Sequence, residues 1–202
     1  MSKYIEEYDG QNLVFKSKAN LVIFHEILNL KERGLVESFD VGPLLNKSRS
    51  TYSKYNARKM IINGITFDSI LESKYYLHLL DEKDKGNIKD FDLNPTFQLL
   101  DNIKVGNRTL RGVRYIADFT IYDNDGGVTY VDVKGNRTPE FIIKEKMFHH
   151  FYEDKELKVI TYRKRDGGWI ELHEYERLRN QRRRERNRRR RERKKKEKQN
   201  KK

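Results

Sequence analysis

The chain has no cysteine among its 202 residues, only three prolines and a single tryptophan. Without cysteine there is no disulfide framework and no thiolate-ligated zinc site. No run is apolar enough for a transmembrane helix, and the first residues lack the charged-then-apolar pattern of a signal peptide. Hydrophobic residues make up 36% of the chain, which suffices for one core of moderate size. We therefore expect one intracellular domain with appendages.

Positive charge is concentrated at the C-terminus. The chain has a net charge of +13, and residues 182–202 alone contain 15 basic and 3 acidic residues. Such a block attracts polyanions and raises affinity for nucleic acid without reading its sequence. The predicted nucleic-acid-binding residues are Arg182, Arg183, Arg184, Arg188, Arg189, Arg190, Arg191, Lys194, Lys195 and Lys196.

Other interpretations of this basic segment are open. Arg and Glu are good helix formers, so the segment can extend a helix that begins near Ile170. It has no apolar stripe to dock on the core, so disorder is an equal alternative. Membrane surfaces also attract basic segments, but no hydrophobic face or lipidation motif accompanies this one. The composition alone also fits a nuclear-localisation signal.

Acidic residues occupy two neighbouring strand patterns that are joined by the loop 123–127. Asp118 lies in the first pattern, and Asp132 and Lys134 share one face of the second. Two carboxylates converging from adjacent strands suit Mg²⁺ or Mn²⁺, which need few protein ligands. Lys134 would polarise an attacking water or stabilise charge on a phosphate. The alternative is a surface hairpin with solvated charges.

The loop length predicts the pairing register of these strands. If residues 123–127 form the hairpin loop, Tyr122 pairs with Val128, and Asp118 lies directly opposite Asp132. Their Cβ atoms would then be about 4.5–5.5 Å apart, and like charges so placed destabilise a sheet. A divalent cation between the two carboxylates would remove that repulsion.

A third acidic residue lies at the start of a predicted helix. Asp68 or Ser69 is a plausible N-cap, and Glu72 falls on the same face as Tyr75 and Tyr76. A carboxylate in an apolar stripe is unfavourable unless something pairs with it. Either Glu72 is directed at the metal pair, or it complements the helix dipole from the first turn.

Five short motifs follow one another along the chain: Phe67-Asp68-Ser69-x-x-Glu72, Asn94-Pro95-x-Phe97-Gln98-Leu99, Tyr115-x-Ala117-Asp118-Phe119, Asp132-x-Lys134-Gly135 and Phe141-x-x-Lys144-x-Lys146-x-Phe148. Together they resemble a phage-encoded family of small proteins in the PD-(D/E)XK nuclease superfamily. The similarity runs from about residue 55 to residue 162, with alanine at position 117 where the superfamily name has proline.

The resemblance implies a function and a set of roles. Asp118 and Asp132 correspond to the two acids of the motif, Lys134 to its lysine and Glu72 to the accessory helix acid. It implies an endonuclease that cleaves DNA with Mg²⁺ or Mn²⁺ held by Asp118, Asp132 and Glu72, in the cytoplasm of a bacterial host. Branched DNA such as a Holliday junction is the substrate favoured by analogy, and junction resolution would require a homodimer.

Two alternatives to this function stay open. The chain could be a non-catalytic DNA-binding accessory on a nuclease scaffold, or a transposase-type nuclease subunit that depends on a partner protein. Intact acids at the motif positions argue against the accessory.

Further polar residues are accessory candidates. Gln98 would order a metal-bound water or the strand edge, or is a plain exposed strand residue. Lys144 would reach phosphate, or is a solvated helix lysine. We interpret His78, His149 and His150 as ordinary helix residues, because their spacing closes no tetrahedral site.

The expected fold is a mixed α/β sheet with an αβββαβ core and a basic C-terminal segment. The core covers residues 56–168, and residues 169–202 form the basic helix or tail.

Residues 1–55 form an N-terminal unit that resembles the core at an offset of 52 residues, with Phe15 and Ser17 matching Phe67 and Ser69. In both copies we expect a helix, a glycine-ended turn and a strand, and Asn20 takes the place of Glu72. Convergence of two amphipathic units is the alternative to a duplication. Predicted core elements are a helix at 69–85, strands at 88–100, 112–122 and 128–134, a helix at 139–152 and a strand at 157–162.

Overall fold

A computed structural model describes residues 4–45 and 59–199. Four helices carry the fold: α1 (Lys18–Glu32), α2 (Ile70–Asp84), α3 (Pro139–Phe151) and α4 (Leu172–Gln199). The strands are β1 (Tyr4–Tyr8), β2 (Gln11–Phe15), β3 (Met60–Ile62), β4 (Ile65–Phe67), β5 (Asp90–Leu93), β6 (Thr96–Leu100), β7 (Ile103–Val105), β8 (Arg108–Leu110), β9 (Val113–Ile116), β10 (Phe119–Tyr122), β11 (Val128–Val133), β12 (Glu156–Arg163) and β13 (Gly168–Glu171).

The central sheet has five strands in the order β13-β12-β11-β10-β5. Strands β11 and β12 are parallel, and the other neighbours are antiparallel. Helix α3 connects the two parallel strands, as a crossover between parallel strands requires. The predicted mixed α/β sheet and the order of its core elements are confirmed.

Two of the predicted strands are each broken into two. The segments 88–100 and 112–122 were expected to be continuous, but each changes sheet midway: β5 and β10 join the central sheet, whereas β6 and β9 pair apart from it. The break occurs where Asn94 and Pro95 face Ala117 and Asp118. Proline has no N–H for the ladder, and Asn94 has a positive φ of 55°. The bend brings Asp118 to the end of the central sheet.

Hydrogen bonds hold this bend together. The Asn94 N–H donates to the Asp118 carbonyl at 3.0 Å, and the Ala117 N–H donates to the Pro95 carbonyl at 3.1 Å. The backbone groups released by the break are therefore paired with each other, which fixes the direction of both chains at the bend.

Apolar side chains cover both faces of the central sheet. On one face, Phe119, Val131 and Val133 pack with α2 in a core that also includes α1. On the other face, Phe148 of α3 and Phe97 of β6 pack in a second core. The sheet is buried on both sides, so strand β11 lies at the centre of the molecule.

The N-terminal unit only partly repeats the core. Both units have a hairpin followed by a helix with a serine N-cap, Ser17 in α1 and Ser69 in α2. The strand expected after α1 is absent from the described residues: Phe39 makes only an isolated bridge to Ile62. A 3₁₀ turn at Gly42–Leu44 follows instead, since proline favours the start of a helical turn. The Ser, Lys, Asn and Tyr content of residues 44–56 predicts a linker between the units, and most of that segment lies outside the described residues.

The basic segment continues helix α4. The helix spans 28 residues, about 42 Å at 1.5 Å per residue. Its first turns pack through Leu172 and Tyr175 against the second core. From Arg183 onward the described side chains are exposed. Pairs such as Glu185 with Arg189 and Glu197 with Arg193 support the helix along this exposed part. No helix in the described part of the chain is long and apolar enough to cross a membrane.

Candidate active site

Three of the predicted site residues lie close together at the end of the central sheet: Asp118, Asp132 and Lys134. The predicted register is confirmed from Tyr122↔Val128 to Phe119↔Val131, but the ladder ends one pair short of Asp118. The sequence predicted that Asp118 would lie directly opposite Asp132 in this ladder. In the structure, Asp118 lies just beyond the last regular pair. Its N–H donates to the Val131 carbonyl at 3.0 Å, because the chain already turns away at the bend.

The carboxylate of Asp118 is fixed by the neighbouring backbone. Its Oδ2 accepts the Val133 N–H at 2.7 Å. This bond holds the Asp118 side chain against Val133 at the end of β11. Val133 lies between Asp132 and Lys134 in the sequence. One acid is thus anchored to the strand that carries the other.

Asp132 is the most deeply buried acid of the site, with 1% of its surface exposed. Its Oδ2 accepts a hydrogen bond from the Tyr115 hydroxyl at 2.6 Å. The Lys134 Nζ lies 2.6 Å from Oδ1 as an ion pair. Oδ1 has no partner of hydrogen-bond geometry among the described residues. The Lys134 ammonium thus balances the negative charge at Asp132 Oδ1, although the pair does not have the geometry of a hydrogen bond.

The surroundings of Asp118 raise its pKa. Burial, followed by repulsion from Asp132, raises the pKa of Asp118 to about 7. Lys134 opposes that rise, while Glu72 adds to it. Asp118 therefore keeps its proton to a higher pH than an ordinary carboxyl group, and a bound cation would compete with that proton.

Lys134 keeps its charge in spite of burial. Burial alone would lower its pKa, but attraction to Asp132 and then to Asp118 more than offsets this, so the pKa lies above its ordinary value. The ammonium also lies 5.6 Å from the centre of the Phe141 ring at the start of α3. The site therefore holds a fixed positive charge beside two acids.

Glu72 lies at the first turn of α2 and performs a structural task there. Its N–H donates to the Ser69 hydroxyl oxygen at 3.1 Å, and its carboxylate accepts from the Ser69 hydroxyl and from the Asp68 N–H. This is a capping box, and Asn20 makes the matching serine contacts in α1. Burial raises the pKa of Glu72, while Ser69 and the Lys134 charge oppose the rise.

The structure does not form the three-acid metal cluster that the sequence suggested. Within residues 4–45 and 59–199, no group of three or more histidine, cysteine or acidic side chains could hold a metal ion together. Both Glu72 oxygens are engaged by the cap. Asp118 and Asp132 are brought together at the bend, and Glu72 acts on them at longer range through its charge.

The two accessory candidates lie away from the acids. Gln98 is exposed on β6 and donates to the Leu100 carbonyl, next to a bulge in the ladder with β9. Lys144 forms an ion pair with Glu140 one turn earlier in α3, at 2.9 Å. Gln98 thus orders a strand edge, one of the alternatives expected for it.

Sequence reasoning missed the role of Tyr115. In the sequence, Tyr115 stood out only as part of a motif, yet it is buried and its hydroxyl donates to Asp132 across the bend. Burial raises the pKa of Tyr115 well above its ordinary range, and the negative charge of Asp132 adds to the effect. A buried tyrosine hydroxyl requires a partner, which was the available signal.

The predicted nucleic-acid-binding residues are not equivalent. Arg182 forms an ion pair with Asp166, Arg189 with Glu185 and Arg188 with Glu192. The remaining described ones are exposed without such partners in the described part of the chain: Arg183, Arg184, Arg190, Arg191 and Lys194. The side chains of Lys195 and Lys196 lie outside the described residues.

A family model described as a protein of unknown function, DUF1064, matches residues 52–166. The chain belongs to this family. No curated protein and no solved structure matches the chain. The family region contains all of the acids at the bend together with Lys134, and it excludes the N-terminal unit and helix α4.

Proposed function

We propose that this protein is a metal-dependent nuclease that hydrolyses phosphodiester bonds of DNA. One observation carries the proposal. Asp132 is buried, bonded to Tyr115 and ion-paired with Lys134, and a second acid with a raised pKa is fixed beside it. Burying two acids is unfavourable, and acids repel phosphate groups, so a protein that only binds DNA would gain nothing from this arrangement.

The residues at the bend fit a hard divalent cation. Asp118 and Asp132 offer carboxylate oxygens, and Asp132 Oδ1 is a buried oxygen whose neighbour is the Lys134 ammonium at 2.6 Å. Mg²⁺ is usually held by one or two protein carboxylates together with water and phosphate oxygens. Glu72 would join them only by releasing its cap. When bound, the ion would supply Lewis-acid activation of a water and of the phosphate.

The protein's own residues divide the remaining work. Lys134 presents a positive charge where negative charge develops on the phosphate. Tyr115 holds Asp132 in one orientation through its hydroxyl. The Val133 N–H does the same for Asp118. The site is therefore preorganised by β9 and β11 rather than by loops.

DNA is the proposed substrate because helix α4 carries a net positive charge, which attracts a polyanion. The preference for branched DNA, the homodimer and the bacterial cytoplasm are proposals that rest on the resemblance to phage-encoded nucleases.

The test is cleavage of linear duplex, single-stranded, flap and four-way-junction DNA with Mg²⁺ or Mn²⁺. The intact protein is compared with Asp132→Asn and Lys134→Ala at concentrations that give equal binding. We expect metal-dependent cutting that both substitutions abolish. Binding without cutting by the intact protein would contradict the proposal and favour the accessory, and cutting only with an added partner would favour the transposase-type subunit.

A further inference from the structure

A basic cleft lies between helix α4 and the turn that connects β12 to β13. The turn is a short 3₁₀ helix at Lys164–Asp166, and the cleft has a volume of about 930 Å³. Eight cationic side chains and two carboxylates line it. So strong an excess of one sign in a concave site is unfavourable without a counter-charge.

The walls of the cleft are fixed by side-chain contacts. Arg182 forms an ion pair with Asp166, whose side chain is 8% exposed, and this pair ties the turn to α4. The Arg163 guanidinium lies 4.4 Å from the centre of the Tyr175 ring, and Arg179 lies 5.8 Å from the same ring. The cleft is therefore built by the fold and is more than a run of exposed arginines.

Several charges in the cleft are not used in holding it together. Lys164, Arg165, Arg183 and Arg186 line it, and none has an ion pair within the described part of the chain. Arg179, Arg183 and Arg186 follow one another at four- and three-residue spacing, so they share one face of α4. Like charges at this spacing destabilise a helix by about 0.2–0.5 kcal/mol per pair. A bound polyanion would offset that repulsion.

The cleft adjoins the candidate active site. Arg163 donates from Nη2 to the Gly135 carbonyl at 3.4 Å, one residue beyond Lys134. The Lys134 N–H in turn donates to the Ile160 carbonyl in the strand that carries Arg163. Arg163 therefore lies in the wall of the cleft and also contacts the residue that follows Lys134.

We propose that this cleft binds the sugar-phosphate backbone of the nucleic acid beside the phosphate to be cleaved, and that Arg179, Arg183 and Arg186 are its principal contacts. The inference rests on the proposed function for the direction of the strand. Backbone contacts of this kind position a substrate and carry no sequence information.

The test is a binding titration of the full chain in EDTA, with fluorescent duplex DNA, single-stranded DNA and duplex RNA of one sequence. The variant replaces Arg179, Arg183 and Arg186 with Gln. Its matched control replaces Lys104, Arg108 and Arg111 with Gln, which removes the same amount of charge from exposed residues at the β7–β8 hairpin, outside both the cleft and α4. Circular dichroism of both variants checks that α4 remains helical.

We expect the cleft variant to lose at least about 10-fold in affinity and to lower the salt slope by about 2–3, as the loss of three phosphate contacts requires. The control should lose less than about 3-fold. Equal losses in the two variants, or none in either, would overturn the proposal. Because EDTA removes cleavage from the readout, an inactive intact protein would contradict the nuclease proposal and leave this binding result standing.

Discussion

The end of the central sheet and helix α4 use charge in opposite ways. At the sheet end, the charges are few, buried and paired: Asp132 is held by Tyr115 and Lys134. Along α4 from Arg183 onward, the charges are many and exposed. Buried charges held in one geometry suit chemistry, whereas exposed ones give affinity that depends on salt. On the proposed function, cleavage and binding would therefore reside in separable parts of the molecule.

Removal of the Tyr115 hydroxyl should break the sheet-end site with the largest effect. Tyr115→Phe leaves the ring in the core but deprives Asp132 Oδ2 of its donor. We expect the Mn²⁺ concentration needed for half-maximal cleavage to rise by about 10–100-fold, as for other groups that orient a metal ligand. A lower rate with an unchanged metal requirement would show that Tyr115 supports the fold alone.

The pH dependence of stability should identify Asp118. Its pKa of about 7 in the folded chain exceeds the unfolded value of about 3.9, so its contribution to stability is complete below pH 4 and is lost as pH rises through 7. In EDTA, Asp118→Asn should therefore raise the melting temperature at pH 8 and have little effect at pH 4. The surface substitution Asp101→Asn is the control.

The same carboxylate should link metal binding to pH. Protonation competes with a cation for Asp118, so Mn²⁺ should raise the melting temperature of the intact protein more at pH 8 than at pH 6. Equal metal stabilisation at both pH values, or the same stabilisation in Asp118→Asn, would contradict this role.

The two serine-capped helices separate chemistry from capping. Glu72→Gln keeps an oxygen acceptor for the Ser69 cap but removes the charge near Lys134. We expect about 10-fold slower cleavage with little change in melting temperature. Asn20→Ala in α1 removes the acceptor of the Ser17 hydroxyl and the bond to the Leu44 carbonyl, so it should lower stability by about 1 kcal/mol and leave cleavage unchanged. Unchanged cleavage by Glu72→Gln would make Glu72 a capping residue only.

The smallest expected effect is at the strand edge. Gln98→Ala removes the donor to the Leu100 carbonyl beside the bulge, and it should lower the free energy of unfolding by about 0.5–1.5 kcal/mol. Chemical denaturation measures this. Unchanged stability with a lower cleavage rate would instead place Gln98 at a reacting water.

The sequence predicted local features well. Alternation and loop length identified the strands of Asp118 and Asp132, and the Tyr122↔Val128 register holds in the structure. The cap candidate Ser69 identified the start of α2, and the predicted bounds of α2 and α3 agree with the structure to within a residue or two at each end. These features depend on neighbours in the chain, which a pattern can show.

Features that join distant segments were not predicted. The bend at Asn94-Pro95 and Ala117-Asp118 required knowledge of which strands face each other, although Pro95 was a signal for a break. The Tyr115 bond to Asp132 and the Arg182 pair with Asp166 depend on tertiary packing. Whether the basic segment is helical could not be decided from composition, because its repelling charges and its helix propensity oppose each other.

The most direct measurement is a side-by-side determination of DNA affinity and cleavage rate for the intact chain and for Asp132→Asn, on one four-way junction and one duplex with Mg²⁺. We predict that Asp132→Asn retains affinity within about 3-fold, since the proposed phosphate contacts on α4 are intact, and loses cleavage by at least about 1,000-fold. An intact protein that binds but does not cut, or an Asp132→Asn variant that still cuts, would contradict the assignment of chemistry to the sheet end.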